Sequence, residues 1–182
     1  MWRGVSTGSR AAYEDIADGG PPSHLHPRAS LIRQMDRWDR SPILDVGVTR
    51  YVQGVANTWG TKPRMSRGRL AQHKMITLAE GNDMSSGLKW ALLSGSAILM
   101  PTPSVDSWAR ESLLEPWVHY IPVTPDFSDL EDKARWCLDQ LNSCHDGGQA
   151  MSLSHGSLPR RVGRRRDGTR GPCTCRTNSF HV

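Results

Sequence analysis

Residues 74–140 read KMITLAEGNDMSSGLKWALLSGSAILMPTPSVDSWARESLLEPWVHYIPVTPDFSDLEDKARWCLDQ and decide the expected fold. Short apolar runs alternate in this stretch with polar turns and with segments of helical spacing. The first run, residues 74–79, is typical of a strand buried in a parallel sheet, because it is apolar at consecutive positions around a branched centre. The order strand, turn, helix, strand, helix, strand, helix therefore predicts an α/β layer with a parallel sheet.

The first turn of this stretch has the composition of an anion-binding loop. Gly81 permits close approach of the backbone to a ligand. The polar side chains that could cap the following helix are Asn82, Asp83, Ser85 and Ser86. Free amides at the start of that helix would point at the mouth of the turn and favour an anion there. Helix capping alone also explains these residues, so both interpretations stay open.

The rest of the chain adds fewer elements. Residues 2–10 are rich in Gly, Ser and Thr and are predicted to form a polar turn. Apolar residues at helical spacing predict a helix over residues 31–38. A short strand is expected over residues 43–46, ended by Gly47, and residues 53–69 are expected to form a loop with a short helix near Leu70.

Charge is unevenly distributed along the 182 residues. Residues 1–142 contain equal numbers of basic and acidic side chains, so they give no reason to expect nucleic acid as a partner. Residues 143–182 have an excess of arginine and few large aliphatic side chains. Such a segment cannot bury enough apolar surface to offset its ordering entropy, and we predict that it is disordered.

Cysteine usage and hydropathy argue against several classes of protein. The chain has four cysteines, too few for a disulfide scaffold, and they are Cys137, Cys144, Cys173 and Cys175. The last two are separated by one residue, which is not the usual zinc spacing, so no metal is expected. No apolar run approaches the ~20 residues of a membrane span. The first ten residues also lack the apolar segment of a signal peptide, so we expect neither a membrane span nor a secretory signal.

Several ordered elements of the sequence resemble the family-ninety glycosyltransferases. This family includes fungal capsule-associated proteins, bacterial lipopolysaccharide-modifying enzymes and KDEL-motif protein O-glucosyltransferases. The matching elements are WRG with TG in residues 2–8, LDVG in residues 44–47, LAEGNDMSSGLKW in residues 78–90, and then SAILMP, LLEPWVHYIPV and DFSDLEDKARW. Several tryptophan-containing elements in the family's order are far more specific than a single glycine pattern.

The resemblance implies a fold and a domain organisation. It implies the C-terminal, donor-binding half of a GT-B fold, with a Rossmann-like parallel sheet. We therefore expect a partial glycosyltransferase domain in residues 1–142 and a disordered basic tail in residues 143–182. Because the match begins at residue 2 and the chain is too short for two such domains, the family's catalytic base is expected on an N-terminal half outside this chain.

The resemblance also implies a binding site for a UDP-sugar. Arg3 would contact the diphosphate, since a guanidinium can bind phosphate oxygens bidentately, and the loop residues Thr7 and Gly8 would assist it. The second half of the site would be the turn residues Gly81, Asn82, Asp83, Ser85 and Ser86. Animal O-glucosyltransferases have an arginine close to the position of Gly87, where Lys89 is the nearest cation in this chain.

Two glutamates complete the predicted site. Glu111 and Glu115 are four residues apart, so they would share one face of a helix and could bind sugar or ribose hydroxyls. They could equally form a solvated face.

The implied activity is inverting transfer of glucose or xylose from a UDP-sugar to a hydroxyl of a protein or glycan, without a cofactor or metal. The alternatives are an inactive fragment and a nucleotide-binding or interaction protein without turnover. By resemblance, the compartment would be the endoplasmic reticulum or Golgi lumen, or the cell envelope; the residues themselves indicate none.

Overall fold

Five short parallel strands form the centre of the computed structural model, which describes residues 1–8, residue 13 and residues 26–143. The strands are β1 (Trp2–Val5), β2 (Val46–Arg50), β3 (Met75–Thr77), β4 (Ala97–Met100) and β5 (Ile121–Pro122). The helices are α1 (Pro27–Arg33), α2 (Met35–Trp38), α3 (Arg67–Leu70), α4 (Leu88–Leu92) and α5 (Leu130–Ser143), with a 3₁₀ turn at Glu111–Leu113. The predicted parallel α/β layer is confirmed at this level.

The strands form two small parallel sheets, β1–β2 and β3–β4–β5. Two hydrogen bonds join these sheets. The Met1 amino group donates to the Met75 carbonyl at 3.2 Å, and the Thr77 amide donates to the Met1 carbonyl at 2.9 Å. The strands therefore lie side by side in the order β2, β1, β3, β4, β5. The direction of the connections reverses between β1 and β3, and such a reversal creates a crevice at the carboxyl ends of the strands.

Apolar side chains cover both faces of the central strands. Leu99 belongs to a core with α1, β2 and α5, while its neighbours in sequence, Ile98 and Met100, belong to a second core with α4. Side chains alternate between the faces of a strand, so β4 is buried on both sides. This explains why its sequence is a continuous apolar run rather than an alternating one.

Two sequence predictions about the first sheet are wrong in their bounds. Residues 2–5, predicted as part of a polar turn, form β1, because Trp2 is buried and pairs with β2. Position 4 of this strand favours glycine, because a β-carbon there would collide with the Trp2 indole. The second strand begins at Val46 rather than ending there and continues to Arg50.

The helix predictions were partly correct. The predicted helix over residues 31–38 begins earlier, at Pro27, and is divided at Gln34 into α1 and α2. The segment around Glu111 and Glu115 is not helical beyond its short 3₁₀ turn, so the two carboxylates do not share a helix face. The last helix extends to Ser143. The prediction of a disordered tail concerns residues that, from 144 onward, lie outside the described part of the chain.

Candidate functional site at the carboxyl edge of the sheet

Three segments meet where the strand order reverses. Thr7 follows β1, Gly81 follows β3, and Arg28 extends from α1 into the space between them. The Arg28 guanidinium donates hydrogen bonds to the Thr7 hydroxyl and to the Ala79 carbonyl, the latter at 2.6 Å, with a longer contact to the Val5 carbonyl. One cation thereby links the loops after both strands.

Gly81 makes this arrangement possible because it has no side chain. A β-carbon at this position would lie 2.8 Å from the Arg28 Nη1 atom and would collide with the Thr7 hydroxyl. Gly8 is fixed separately, since its amide donates to the Gln53 side chain at 2.9 Å. The structure therefore brings together three predicted site residues, Thr7, Gly8 and Gly81, at one end of the sheet.

Arg28 has no carboxylate partner among the described residues. Its acceptors within that part of the chain are carbonyls and a hydroxyl, all neutral, and its buried Nε atom, like that of Arg3, has no partner there. Burial lowers the pKa of Arg28, while nearby Tyr13 acts in the opposite direction. Arg28 is partly buried. A partly buried cation whose acceptors among the described residues are all neutral retains a desolvation cost, which an anionic ligand would offset.

Tyr13 packs beside this cluster. Its hydroxyl donates to the Thr7 carbonyl at 3.2 Å, and its side chain is almost fully buried. Burial raises the pKa of Tyr13 to about 12, so the phenol is neutral at physiological pH. Tyr13 therefore orients the Thr7 loop without adding charge to it.

Arg3 is not part of this cluster. Its guanidinium contacts the Asp45 carboxylate at 2.5 Å and the carbonyls of Trp2 and Asp45, at the amino ends of β1 and β2. Only 6% of the Arg3 side chain is exposed. Lys62 contacts the other oxygen of the same carboxylate at 2.9 Å. Arg3 is thus neutralised inside the protein, at the opposite edge of the sheet from Gly81.

The turn after β3 is stabilised by its own hydrogen bonds. The Gly81 amide donates to the Asp83 carbonyl at 3.1 Å, and the Asp83 carboxylate accepts from the Met84 amide at 2.7 Å. The helix that follows, α4, has only five residues and no side-chain cap. The expectation that Asn, Asp or Ser would cap it is therefore wrong. Asn82, Asp83 and Ser86 are exposed, whereas Ser85 is buried.

A small, shallow pocket lies beside this turn. Its walls are mostly apolar, and two carboxylates stand among them; the lining residues are Leu78, Ala79, Glu80, Met84, Ser85, Leu88, Met100, Pro101, Pro103 and Glu111. The pocket opens at the carboxyl ends of β3 and β4. Ala79 relates the pocket to Arg28, because it lines the pocket and its carbonyl accepts a hydrogen bond from Arg28.

The two pocket carboxylates have structural partners. Glu80 accepts from the Ser104 hydroxyl at 2.5 Å and from its amide at 3.0 Å. Glu111, only 2% exposed, accepts from the Ser107 hydroxyl and amide, both at 2.7 Å, and these bonds lower the pKa of Glu111. Glu115 is exposed and outside the pocket lining. The two glutamates predicted as a pair therefore occupy different environments.

Lys89 extends toward the loop after β4. Its ammonium lies 4.1 Å from the centre of the Trp108 ring and interacts electrostatically with Glu111. Of the predicted site residues, Thr7, Gly8 and Gly81 thus lie near Arg28 and Lys89 lies near Glu111, whereas Arg3 belongs to neither group. Arg28 itself was missed by sequence reasoning, although Pro27 beside it is a common first residue of a helix and could have indicated that the helix includes it.

The described residues offer neither a metal-binding cluster nor a membrane-spanning helix. In residues 1–8, 13 and 26–143, no group of three or more His, Cys, Asp and Glu side chains is arranged to hold a metal ion. Over the same part of the chain, no helix is long and apolar enough to cross a bilayer.

Comparison with known proteins supports a relationship to glycosyltransferases. No family model matches the chain. It is 35% identical over 102 residues to the O-glucosyltransferase LpsA of Dichelobacter nodosus, which covers 56% of this chain and 31% of LpsA. It is also 34% identical over 113 residues to the uncharacterized protein 035R of Invertebrate iridescent virus 3, covering 54% of this chain and 10% of that protein.

A second viral relative matches more of the chain. The uncharacterized protein 027R of Frog virus 3 (isolate Goorha) is 29% identical over 170 residues, covering 79% of this chain and 16% of that protein. The chain therefore spans about a third of LpsA and a smaller share of the viral relatives. Together, the comparisons indicate a glycosyltransferase-like relationship at a coarse level.

Proposed function

We propose that this chain is the nucleotide-sugar-binding part of a glycosyltransferase. The enzyme would transfer glucose or xylose from a UDP-sugar to a hydroxyl of a protein or glycan, with inversion at the anomeric carbon. The observation that supports this best is that Arg28, at the crevice between β1 and β3, has no carboxylate partner among the described residues. The sequence similarity to an O-glucosyltransferase supports the same class of reaction.

In this proposal, the diphosphate binds between the loops after β1 and β3. Arg28 supplies the positive charge, and Thr7 supplies a hydroxyl next to it. Gly81 allows a phosphate to approach the backbone closely. The neighbouring pocket is mostly apolar, and part of the nucleoside would lie at its mouth against Met84 and Met100. This assignment transfers the role that the family resemblance implied for Arg3 to Arg28.

The chemistry requires stabilisation of a leaving group. A base removes the proton of the acceptor hydroxyl, the oxygen attacks the anomeric carbon, and the bond between that carbon and the diphosphate breaks with its electron pair on UDP. Arg28 would offset the negative charge that develops on the diphosphate oxygens. A guanidinium can provide this without a metal ion, and the proposal includes none. The base is not assigned to any residue of this chain.

Calorimetric titration of UDP and UMP into the full chain tests the proposal. Arg28→Gln should weaken UDP binding by about 10- to 150-fold, because a hydrogen bond to a charged group is worth about 1.5–3 kcal/mol. It should affect UMP less, since UMP lacks the second phosphate. Arg37→Gln is the matched control, because Arg37 is an exposed arginine of the adjacent helix α2.

Two results would overturn the proposal. Equal losses for Arg28→Gln and Arg37→Gln would show general attraction to cations rather than a specific contact. Absence of UDP binding by wild-type protein with a cooperative unfolding transition would exclude a donor site in this chain.

A further inference from the structure

Trp108 is unusually exposed for a large aromatic side chain. It lies on the loop between β4 and β5, and 84% of its surface is accessible to solvent. The ammonium of Lys89 lies 4.1 Å from its ring centre, so the ring is partly covered by a cation and otherwise open. Exposure of a large aromatic ring beside a pocket is typical of a binding surface.

The loop that presents Trp108 is held by three carboxylates. Glu80 accepts hydrogen bonds from Ser104, and Glu111 accepts them from Ser107, directly before Trp108. A third carboxylate, that of Asp106, accepts from the Ser112 amide at 2.7 Å and hydroxyl at 2.6 Å. These bonds involve residues before and after Trp108 in the sequence, and they fix the backbone that positions its ring.

The same loop contains a strained residue. Arg110 has a positive φ of 53°, in the left-handed region that non-glycine residues adopt at a cost. Such conformations persist where surrounding contacts determine them, and they concentrate at functional sites. The Trp108 ring is therefore exposed on an organised segment.

The Trp108 ring lies on a loop that is joined to the pocket. Glu111 connects the Trp108 loop to the pocket, because it lines the pocket and binds the residue before Trp108. We infer that Trp108 and Lys89 form a platform for a pyranose ring. The apolar C–H face of the sugar would pack on the face of the indole that the Lys89 ammonium leaves open. This inference rests on the proposed function, which requires sugar rings near the nucleotide.

A pyranose ring could come from the donor or from the acceptor. UDP-glucose presents the donor sugar, and methyl β-D-glucopyranoside imitates a sugar acceptor. UDP alone has no pyranose ring, so its affinity should depend on Arg28 and not on Trp108. Comparing these three probes separates the two sources from each other and from the nucleotide site.

The experiment combines calorimetry of UDP and UDP-glucose with saturation-transfer NMR of the methyl glucoside. Trp108→Ala should abolish most of the saturation transfer to the glucoside, or remove the affinity advantage of UDP-glucose over UDP. Trp108→Phe should retain part of the effect, because it keeps an aromatic face. Leu93→Ala should change nothing, since Leu93 is an equally exposed apolar residue, 87% accessible, without a cation over it.

Mannitol is the chemical control, because it has the hydroxyls of a sugar but no ring. Equal saturation transfer to mannitol and to the glucoside would overturn the inference. So would unchanged binding of both sugar probes by Trp108→Ala. If the wild-type protein does not bind UDP but binds the glucoside in a manner that depends on Trp108, the proposed function is overturned while the inference about the sugar platform is supported.

Discussion

The two edges of the sheet each contain an arginine, but only the arginine at the amino edge has a counter-charge among the described residues. At the amino edge, Arg3 is paired with Asp45, which is also bound by Lys62. At the carboxyl edge, Arg28 contacts only carbonyls and a hydroxyl among the described residues. A paired buried charge is satisfied by the fold, whereas an unpaired one is available to a ligand.

This difference separates a structural role from a binding role. The Arg3 guanidinium fixes the start of β1 against the segment before β2, because it binds carbonyls of both. Arg28 fixes the loops after β1 and β3, where ligands bind in open parallel sheets. Variants of Arg3 should therefore change the stability of the protein, whereas variants at the carboxyl edge should change its affinity for UDP.

The largest expected effect is the loss of stability in Arg3→Met. Removing the guanidinium leaves Asp45 without its closest partner, and we expect the free energy of unfolding to fall by about 2–3 kcal/mol. Urea denaturation measures this change, and UDP affinity should be unaffected. Lys62→Met should cost less than about 1 kcal/mol, because Lys62 is a third exposed. A loss of UDP affinity in folded Arg3→Met would contradict the structural role.

Gly81→Ala tests the carboxyl edge. The added β-carbon would press against Arg28 and Thr7, and overpacking of this kind costs about 1–3 kcal/mol. We expect weaker UDP binding together with a moderate loss of stability. Gly68→Ala is the control, because nothing lies near that position in α3, and alanine there should be neutral or stabilising by up to about 1 kcal/mol. Undiminished UDP binding by Gly81→Ala would mean that the diphosphate does not approach this turn.

The smallest expected effect is an acid sensitivity of the amino edge. Partial burial of Asp45 opposes its ionisation, but hydrogen bonds from Arg3 and Lys62 outweigh this and lower its pKa. A lowered folded pKa means that the unfolded chain binds the proton first, so stability present above about pH 4 is lost as the pH falls. Urea denaturation between about pH 5 and pH 3 should show this decline. The free energy of unfolding should fall less steeply with pH in Asp45→Asn. An identical pH dependence in the variant and the wild type would contradict the role of Asp45 in this acid sensitivity.

The sequence predicted the parts of the site that depend on local chemistry. The apolar run at 74–79 was correctly placed as a parallel strand, and Gly81, predicted to let a ligand approach the backbone, lies where a β-carbon would collide with Thr7 and Arg28. Local patterns misplaced β1, because its Gly and polar residues resemble a turn and only pairing with β2 makes it a strand. The predicted helix containing Glu111 and Glu115 also failed, since hydrogen bonds from Ser107 determine the conformation there.

By itself, the sequence determined the parallel α/β class and the loop chemistry after β3, because apolar runs, helical spacing and a glycine-containing turn are properties of neighbouring residues. Only the tertiary structure decided which arginine meets a carboxylate among the described residues. Arg3 lies 42 residues from Asp45, and Arg28 lies 51 residues from Ala79. Whether a guanidinium meets a carboxylate or a carbonyl depends on strand order, which brings distant residues together and which no local pattern encodes.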